Sequence, residues 1–431
     1  MQTIEGARGR WVLALALICA GCSGGSSDDE TFTAEDRALI RSMVLDPSVA
    51  PPIDVSNDVL RLGTPAQLAT PAFRAKLATL GQQLFFDREL STPRADGVVV
   101  ACADCHIPSH FFSDPRPQNQ VSQGLGFTAR NSPSLVNVGY YVSFGWDGRA
   151  DSLWGQGKHA FESGATMKGD KLRLAQQVAR RYQDRWSELF GKLPDELQKD
   201  TINRFSAPRD PQAEAELEAI YKDILKVWGA YLLTLVSGDA PFDLFARGDD
   251  TALDPAQRRG LHLFLGKAGC ISCHLGPNFT DNLYHSVGVG QDAVNAPAED
   301  LGRFTGLTKL GEPSFASYRL STPRSPTAED KGLFRTKSLR QVAETAPYFH
   351  AGQAASLADV VWFYNQGGEG GGAGKPSPLI VPLGLTELEQ ADVVAFLGAL
   401  TGKEVPPALA CNNSRSFSAD AGFAPRCAVI P

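Results

Sequence analysis

Methionine is nearly absent from this chain of 431 residues: Met1, Met43 and Met167 are all it has. No thioether is therefore on offer to any site beyond residue 167. After Ile18 no stretch is apolar and long enough to span a bilayer. Basic runs that would track a phosphate backbone are also missing, and 41 basic against 48 acidic residues leave a net charge of -7. Nucleic acid is excluded as a natural partner. Strand signals are sparse while Gly, Pro and Asn are frequent, so the expected fold is mainly α with long ordered loops. With 43% hydrophobic residues the chain can bury large cores, and its length favours two domains.

The N-terminus, MQTIEGARGRWVLALALICAGCSGGSSDDE, has a basic start, a short apolar run from Trp11 to Ile18, and small residues up to Cys22. It reads as an export signal over 1–22, too short to serve as a membrane span. CAGC, Cys19 to Cys22, has the character of a bacterial lipobox with Cys22 lipidated; a plain cleaved signal is the alternative. Residues 23–55, opening with SGGSSDDE, read as a flexible tether. The expected location is the periplasmic side of a bacterial membrane, with membrane contact only through the N-terminal lipid anchor.

Of eight cysteines, two lie in the signal and four form two CxxC pairs. Cys411 and Cys427 flank a polar tail over 411–431. In an oxidising compartment they are expected to form a disulfide that staples the tail, with two free thiols as the alternative.

The pairs are CADCH, Cys102 to His106, and CISCH, Cys270 to His274. Each follows a helical signal with the same GxxLF: Gly81, Leu84 and Phe85 before the first, Gly260, Leu263 and Phe264 before the second. A duplicated unit follows, with domains expected over 56–230 and 231–410. CxxCH attaches c-type haem: two thiols bond to the porphyrin edge and the adjacent histidine reaches the iron. One motif alone leaves a zinc site or a dithiol open. Two copies in an exported chain select two covalently bound c-type haems, held by Cys102, Cys105, Cys270 and Cys273. His106 and His274 are then the proximal iron ligands.

The segments LGQQLFFDRELS, CADCHIPSHFFSD, RNSPSLVNVGYY, WDGRADSLWGQ, LVSGDAPFDLF, CISCHLGPNFTDNLYHSVGVG and SLRQVAETAPYFHAG together resemble the bacterial di-haem cytochrome c peroxidase and MauG superfamily. The resemblance implies two cytochrome c-like haem domains, a peroxide-reactive haem in the first and an electron-storing haem in the second. It also implies that Trp146 lies between the haems, and that Asn131, Thr345 and Pro347 hold a calcium ion between the domains through hard oxygens. Tyr364 falls where peroxidases of the family place a methionine ligand to the second haem, and the MauG branch resembles this chain in having tyrosine there. A phenolate suits high-valent iron better than a neutral thioether does. No histidine occurs between His110 and His159, so the face opposite His106 is expected to be open to peroxide. The family's distal glutamate falls at Thr166, a hydroxyl that cannot relay a proton as a carboxylate does. Glu162 or His159 are the candidate replacements, and Arg149 and Gln156 match family positions near this pocket.

The implied activity is that of an exported di-haem oxidoreductase most like the MauG and MbnH-type enzymes. It would react with hydrogen peroxide, form a bis-iron(IV) state and oxidise a residue, expected to be tryptophan, of a periplasmic or outer-membrane partner protein. The alternative is a cytochrome c peroxidase reducing peroxide to water with electrons from a small electron-donor redox protein. A non-enzymatic di-haem electron carrier would need strong ligands on both faces of both irons, for which the sequence supplies no evident methionine or histidine pair.

Overall fold

The computed structural model describes residues 32–49, 51, 67, 70–117, 122–199, 201–290, 299–414 and 427. The expected signal over 1–22, with Cys19 and Cys22, lies outside the described residues, as does 23–31 of the expected tether. In chain order the helices are α1 (Ala34–Ser42), α2 (Pro71–Phe86), α3 (Leu153–Glu162), α4 (Lys171–Arg181), α5 (Gln183–Phe190) and α6 (Pro211–Leu232). Then come α7 (Pro241–Ala246), α8 (Pro255–Leu265), α9 (Arg303–Gly311), α10 (Leu357–Asn365) and α11 (Glu387–Gly398). Strand among the described residues is one antiparallel pair, β1 (Tyr284–His285) with β2 (Phe334–Arg335). The fold is mainly α, as expected.

The sequence marks its own helix ends. Thr70, Asp210 and Asp254 each cap a helix whose first residue is proline, a side-chain acceptor followed by a residue with no N–H to orphan. Ser356 with Asp359 and Thr386 with Glu389 close capping boxes on α10 and α11. Past α10, Gly367 and Gly368 adopt φ of +81° and +77° and turn the chain away.

Two cores form. The first packs α2, α4 and α6 through Leu84, Phe85, Val178, Tyr221 and Tyr231; the second gathers Phe242, Phe264, Phe279, Val393 and Phe396. In each, the helix before CxxCH crosses a partner, α2 on α6 and α8 on α11. The glycine of GxxLF sits at the crossing: a Cβ on Gly81 would collide with the Val227 carbonyl oxygen, and one on Gly260 with that of Asp392. The shared motif therefore encodes a close approach of backbones, locked by the fully buried Phe85 and Phe264.

A second repeat follows each CxxCH. The stretch from Ser134 to Ser152 recurs from Ser338 to Ser356, 204 positions on. Asn137 and Gln341 both take left-handed φ, 61° and 59°, and Gly148 and Gly352 do likewise at 64° and 73°. Phe144 bridges Ala150 as Tyr348 bridges Ala354. Ser152 and Ser356 then cap α3 and α10. In this register Trp146 corresponds to His350, and Ala160 on α3 to Tyr364 on α10.

The chain does not divide where the sequence suggested. Helix α6 runs through the boundary at 230/231, because its apolar face stays buried in the first core to Leu232. Phe315, Tyr318 and Val405 return to that same core. Part of the expected tether is not one: Thr33 and Asp36 form a capping box on α1, and Phe32, Ile40 and Met43 are buried in the second core. Apolar burial overrides the polar look of AEDRALIRS. Arg340 ties this segment down, binding Asp243 at 2.8 and 2.9 Å and the Met43 carbonyl at 3.1 Å. Cys411 and Cys427 form a disulfide, and Gln82 of α2 donates to the Cys411 carbonyl at 3.0 Å.

Candidate functional site

Each CxxCH begins as a short 3-10 turn, and each returns its histidine to a backbone carbonyl. His106 Nδ1 lies 3.0 Å from Phe112 O and 3.1 Å from Pro133 O. His274 Nδ1 lies 3.1 Å from Phe279 O. A carbonyl only accepts, so each Nδ1 carries the ring proton and each Nε2 keeps a bare lone pair. Burial lowers the pKa of both imidazoles, which favours the neutral form that binds metal. Phe112 and Phe279 reach these positions with left-handed φ of 58° and 48°, a local strain that both units hold in place.

The four CxxC thiols are free, not joined within their pairs. Burial pushes the Cys102 and Cys270 thiols up to about 12, and Cys105 up to about 11.

At His274 the groups open onto a largely apolar cavity of about 440 Å³, walled by Cys270, Cys273, Leu357, Val361 and Leu397, with Tyr364 contributing its ring from α10. Burial raises the Tyr364 phenol above its ordinary value, so at neutral pH it keeps its proton unless a cation displaces it. Arg335 reaches the same cavity 3% exposed, with Nε and Nη1 lacking any hydrogen-bond partner. The guanidinium lies 3.7 Å over the Tyr141 ring, and its two nitrogens without a hydrogen bond among the described residues favour an anion. A porphyrin carrying carboxylates fits this set: thiols at one edge, a histidine lone pair and a phenol, apolar walls, and a guanidinium with N–H groups to spare.

Between the units stands Trp146. Its Nε1 donates to Asn131 O at 2.8 Å, His350 meets it edge-on at 6.5 Å, and Lys337 Nζ lies 4.4 Å from its ring centre. Burial, aided by the charge of Arg335, holds the Lys337 ammonium well below its usual range. His350 stacks on Phe334 at 4.0 Å, and burial pushes it down to about 4. Asn131 Nδ2 donates to Pro347 O at 3.0 Å. Thr345 lines the same cavity, its hydroxyl donating to Val342 O at 3.3 Å. A cation there requires the Asn131 amide to turn so that Oδ1 faces inward.

On the side of the first unit the expected groups separate. Gln156 Oε1 is buried without a partner, close to the Gly145 turn before Trp146. Arg149 binds Asp147 at 2.7 Å, and Arg130 binds it at 2.8 Å. Burial alone would raise Asp147, yet these two guanidinium groups hold it well below the usual carboxylate range. The Thr166 hydroxyl donates to Ala160 O at 2.6 Å, closing the end of α3. Glu162 is exposed, and its carboxylate takes Lys158 at 2.6 Å and the Tyr221 hydroxyl at 3.1 Å. His159 stacks on Phe315 at 4.1 Å; burial, then the nearby Arg149 charge, push it down to about 4. It is neutral at pH 7 and a weak base, poorly matched to proton transfer at that pH.

Sequence reasoning passed over Arg335, Lys337 and His350. The signal was present in the register: the three follow from aligning RNSPSLVNV with FRTKSLRQV and continuing to Trp146.

Residues 75–251 match the family model described as di-haem cytochrome c peroxidase. A cytochrome-c peroxidase of Denitromonas iodatirespirans is 33% identical over 359 residues, covering 80% of this chain and 88% of that protein. The methylamine utilization protein MauG of Methylorubrum extorquens is 30% identical over 393 residues, covering 89% and 92%. A solved structure of a MauG-like protein associated with microbial copper homeostasis matches with a TM-score of 0.59 and 25% identity, covering 84% of this chain and 97% of that one.

Proposed function

This chain belongs to the di-haem cytochrome c peroxidase and MauG family, and from that premise we propose that it is an exported enzyme of the MauG and MbnH type. Membership makes it a di-haem oxidoreductase acting on peroxide. Our reading goes further. His106 would hold the haem that supplies the reaction with hydrogen peroxide, Trp146 would lie between the two haems and let them share the oxidising equivalents, and a tryptophan of a partner protein would be the residue oxidised at a distance. When bound, the two haems supply the redox chemistry; the chain supplies position, charge and exclusion of water.

One observation carries the reading: Tyr364 shares the cavity of His274, and no methionine exists beyond residue 167 to take its place. Tyr364 and His274 would hold the second iron between anionic and neutral ligands, which favours storing oxidation over passing electrons at high potential. His106 would hold the first iron, and Ala160, the counterpart of Tyr364 in the repeat, has no ligand atom to add. Gln156, whose Oε1 is buried without a hydrogen-bond partner among the described residues, would be the side chain left to meet peroxide, since the Thr166 hydroxyl is committed to α3 and Glu162 to Lys158 and Tyr221. Asn131, Thr345 and Pro347 would hold calcium between the units. Cys22 would anchor the chain on the periplasmic side; among the described residues no helix is long and apolar enough to cross a membrane.

The test is addition of stoichiometric peroxide to the diferric protein, followed by near-infrared and Mössbauer spectra. Iron(IV) signals from both sites are expected, and their absence removes the reading. The alternative, peroxide reduction fed by a small redox protein, is favoured by relatives named cytochrome-c peroxidase. Sustained oxidation of a reduced small cytochrome at high turnover would select it.

A further inference from the structure

The tryptophans of the described residues differ in one respect that bears on where electrons enter. Trp154, Trp186 and Trp228 are buried, whereas Trp362 is 54% exposed. It stands two positions before Tyr364 on α10, which at 3.6 residues per turn places the two side chains on nearly opposite faces. Tyr364 lines the inner cavity, and Trp362 faces out, separated by about one helix width, roughly 10 Å. Aromatic rings fill the space beside this helix. Phe363 meets Tyr364 at 5.2 Å and Phe349 at 4.8 Å.

Phe349 also lines a second cavity, of about 300 Å³, walled by Trp362, Phe363, Asp359 and Glu369. Both carboxylates are exposed, and no lysine or arginine of the described residues shares the wall. A tryptophan edge in an acidic recess suits an aromatic side chain flanked by positive charge.

We propose that Trp362 and its acidic recess are the docking point and electron entry for a protein partner that presents an oxidisable aromatic residue beside lysine or arginine. This rests on the reading that the Tyr364 side of the molecule stores oxidising equivalents. Each transfer takes one electron from the partner's ring, inward by way of Trp362, and releases one proton from the oxidised ring to water. Two transfers, with two protons, reduce one hydrogen peroxide to two waters.

The probe is the peptide Lys-Lys-Trp-Lys-Lys, with Glu-Glu-Trp-Glu-Glu as its opposite, added to holoprotein pre-treated with one equivalent of peroxide. The lysine peptide should hasten return to the resting spectrum, saturably and less so in high salt. Trp362→Phe should form the oxidised state in wild-type yield yet react with the peptide at least about tenfold more slowly. Binding of labelled lysine peptide to the resting holoprotein, read by anisotropy, should weaken severalfold in Glu369→Gln. Excess peroxide without peptide should leave oxygen-addition products on Trp362, found by peptide mapping. If wild type forms no oxidised state, the underlying reading falls and this inference with it. If that state forms normally and Trp362→Phe reacts at the wild-type rate, or the glutamate peptide serves equally, this inference alone is overturned. Sedimentation showing self-association that Trp362→Arg abolishes would also overturn it, since the recess would then be filled by a second copy.

Discussion

The two units are one scaffold used twice, and they part company beyond the CxxCH histidine. Up to the histidine they agree: a glycine at the helix crossing, a CxxCH turn, an imidazole Nδ1 tied to a phenylalanine carbonyl in left-handed conformation. Beyond it, the register of 204 residues sets Ala160 opposite Tyr364, Val136 opposite Arg340, and Trp146 opposite His350. A methyl group cannot bind a metal and a phenol can. In the proposed reading, one substitution within a repeated frame separates a site that admits a small molecule from a site that is closed.

The largest effect is expected from the charge that only the second unit carries. Arg340 and Asp243 are 1% and 0% exposed and bound at 2.8 Å, so Arg340→Ala leaves a buried carboxylate unpaired. A loss of about 3–5 kcal/mol is expected, read as a lowered midpoint in thermal unfolding of the holoprotein, while Val136→Ala at the matching place should cost about 1 kcal/mol. Equal losses would show that the units are stabilised alike. Next comes the swap itself. Ala160→Tyr copies the second unit's Tyr364 into the first and, if that phenol is a ligand, should slow the peroxide reaction about a hundredfold, near 2.7 kcal/mol of barrier, in stopped-flow absorbance. An unchanged rate would mean that the register does not carry over to the iron.

What could be read from the residues follows the range of the physics involved. Haem attachment is covalent and local, so five consecutive letters declare it twice, and helix caps are as local. The pocket around Trp146 is not local. Arg335, Lys337 and His350 gain their meaning from burial against a segment some two hundred residues earlier, which no short window contains. The same reason explains the misread tether: AEDRALIRS is polar by itself, and only the second core makes Phe32, Ile40 and Met43 a buried edge. Glu162 is the reverse case. Its spacing on α3 suggested a substitute for the missing carboxylate at Thr166, but Lys158 one turn earlier claims it.

Acid should act on the first unit through His159. Its folded pKa, pushed down to about 4 by burial and by Arg149, lies below the ordinary value near 6.5. The unfolded chain therefore takes up the proton first, so this group's contribution is unchanged above pH 6.5 and stability falls as pH drops from there towards 4. At pH 5 the loss is about 2 kcal/mol. His159→Phe, which keeps a ring against Phe315, should flatten that part of the pH–stability curve, whereas a curve of unchanged slope would assign the loss to other groups.

The smallest expected change tests Tyr364 itself. Tyr364→Met puts a neutral thioether where the buried phenol stands. The helix is unaffected, because methionine is a good helix former and Ser356 still caps α10. If the phenol ligates iron, the variant should lose the absorption of a phenolate complex, raise the reduction potential of the second haem, and shorten the life of the oxidised state about tenfold, near 1.4 kcal/mol. If it only packs, methionine fills the same space at little cost and the spectrum stays as it was. Tyr364→Phe separates these outcomes further: it preserves packing while removing the oxygen, so a spectrum that changes with phenylalanine must have had that oxygen at the metal.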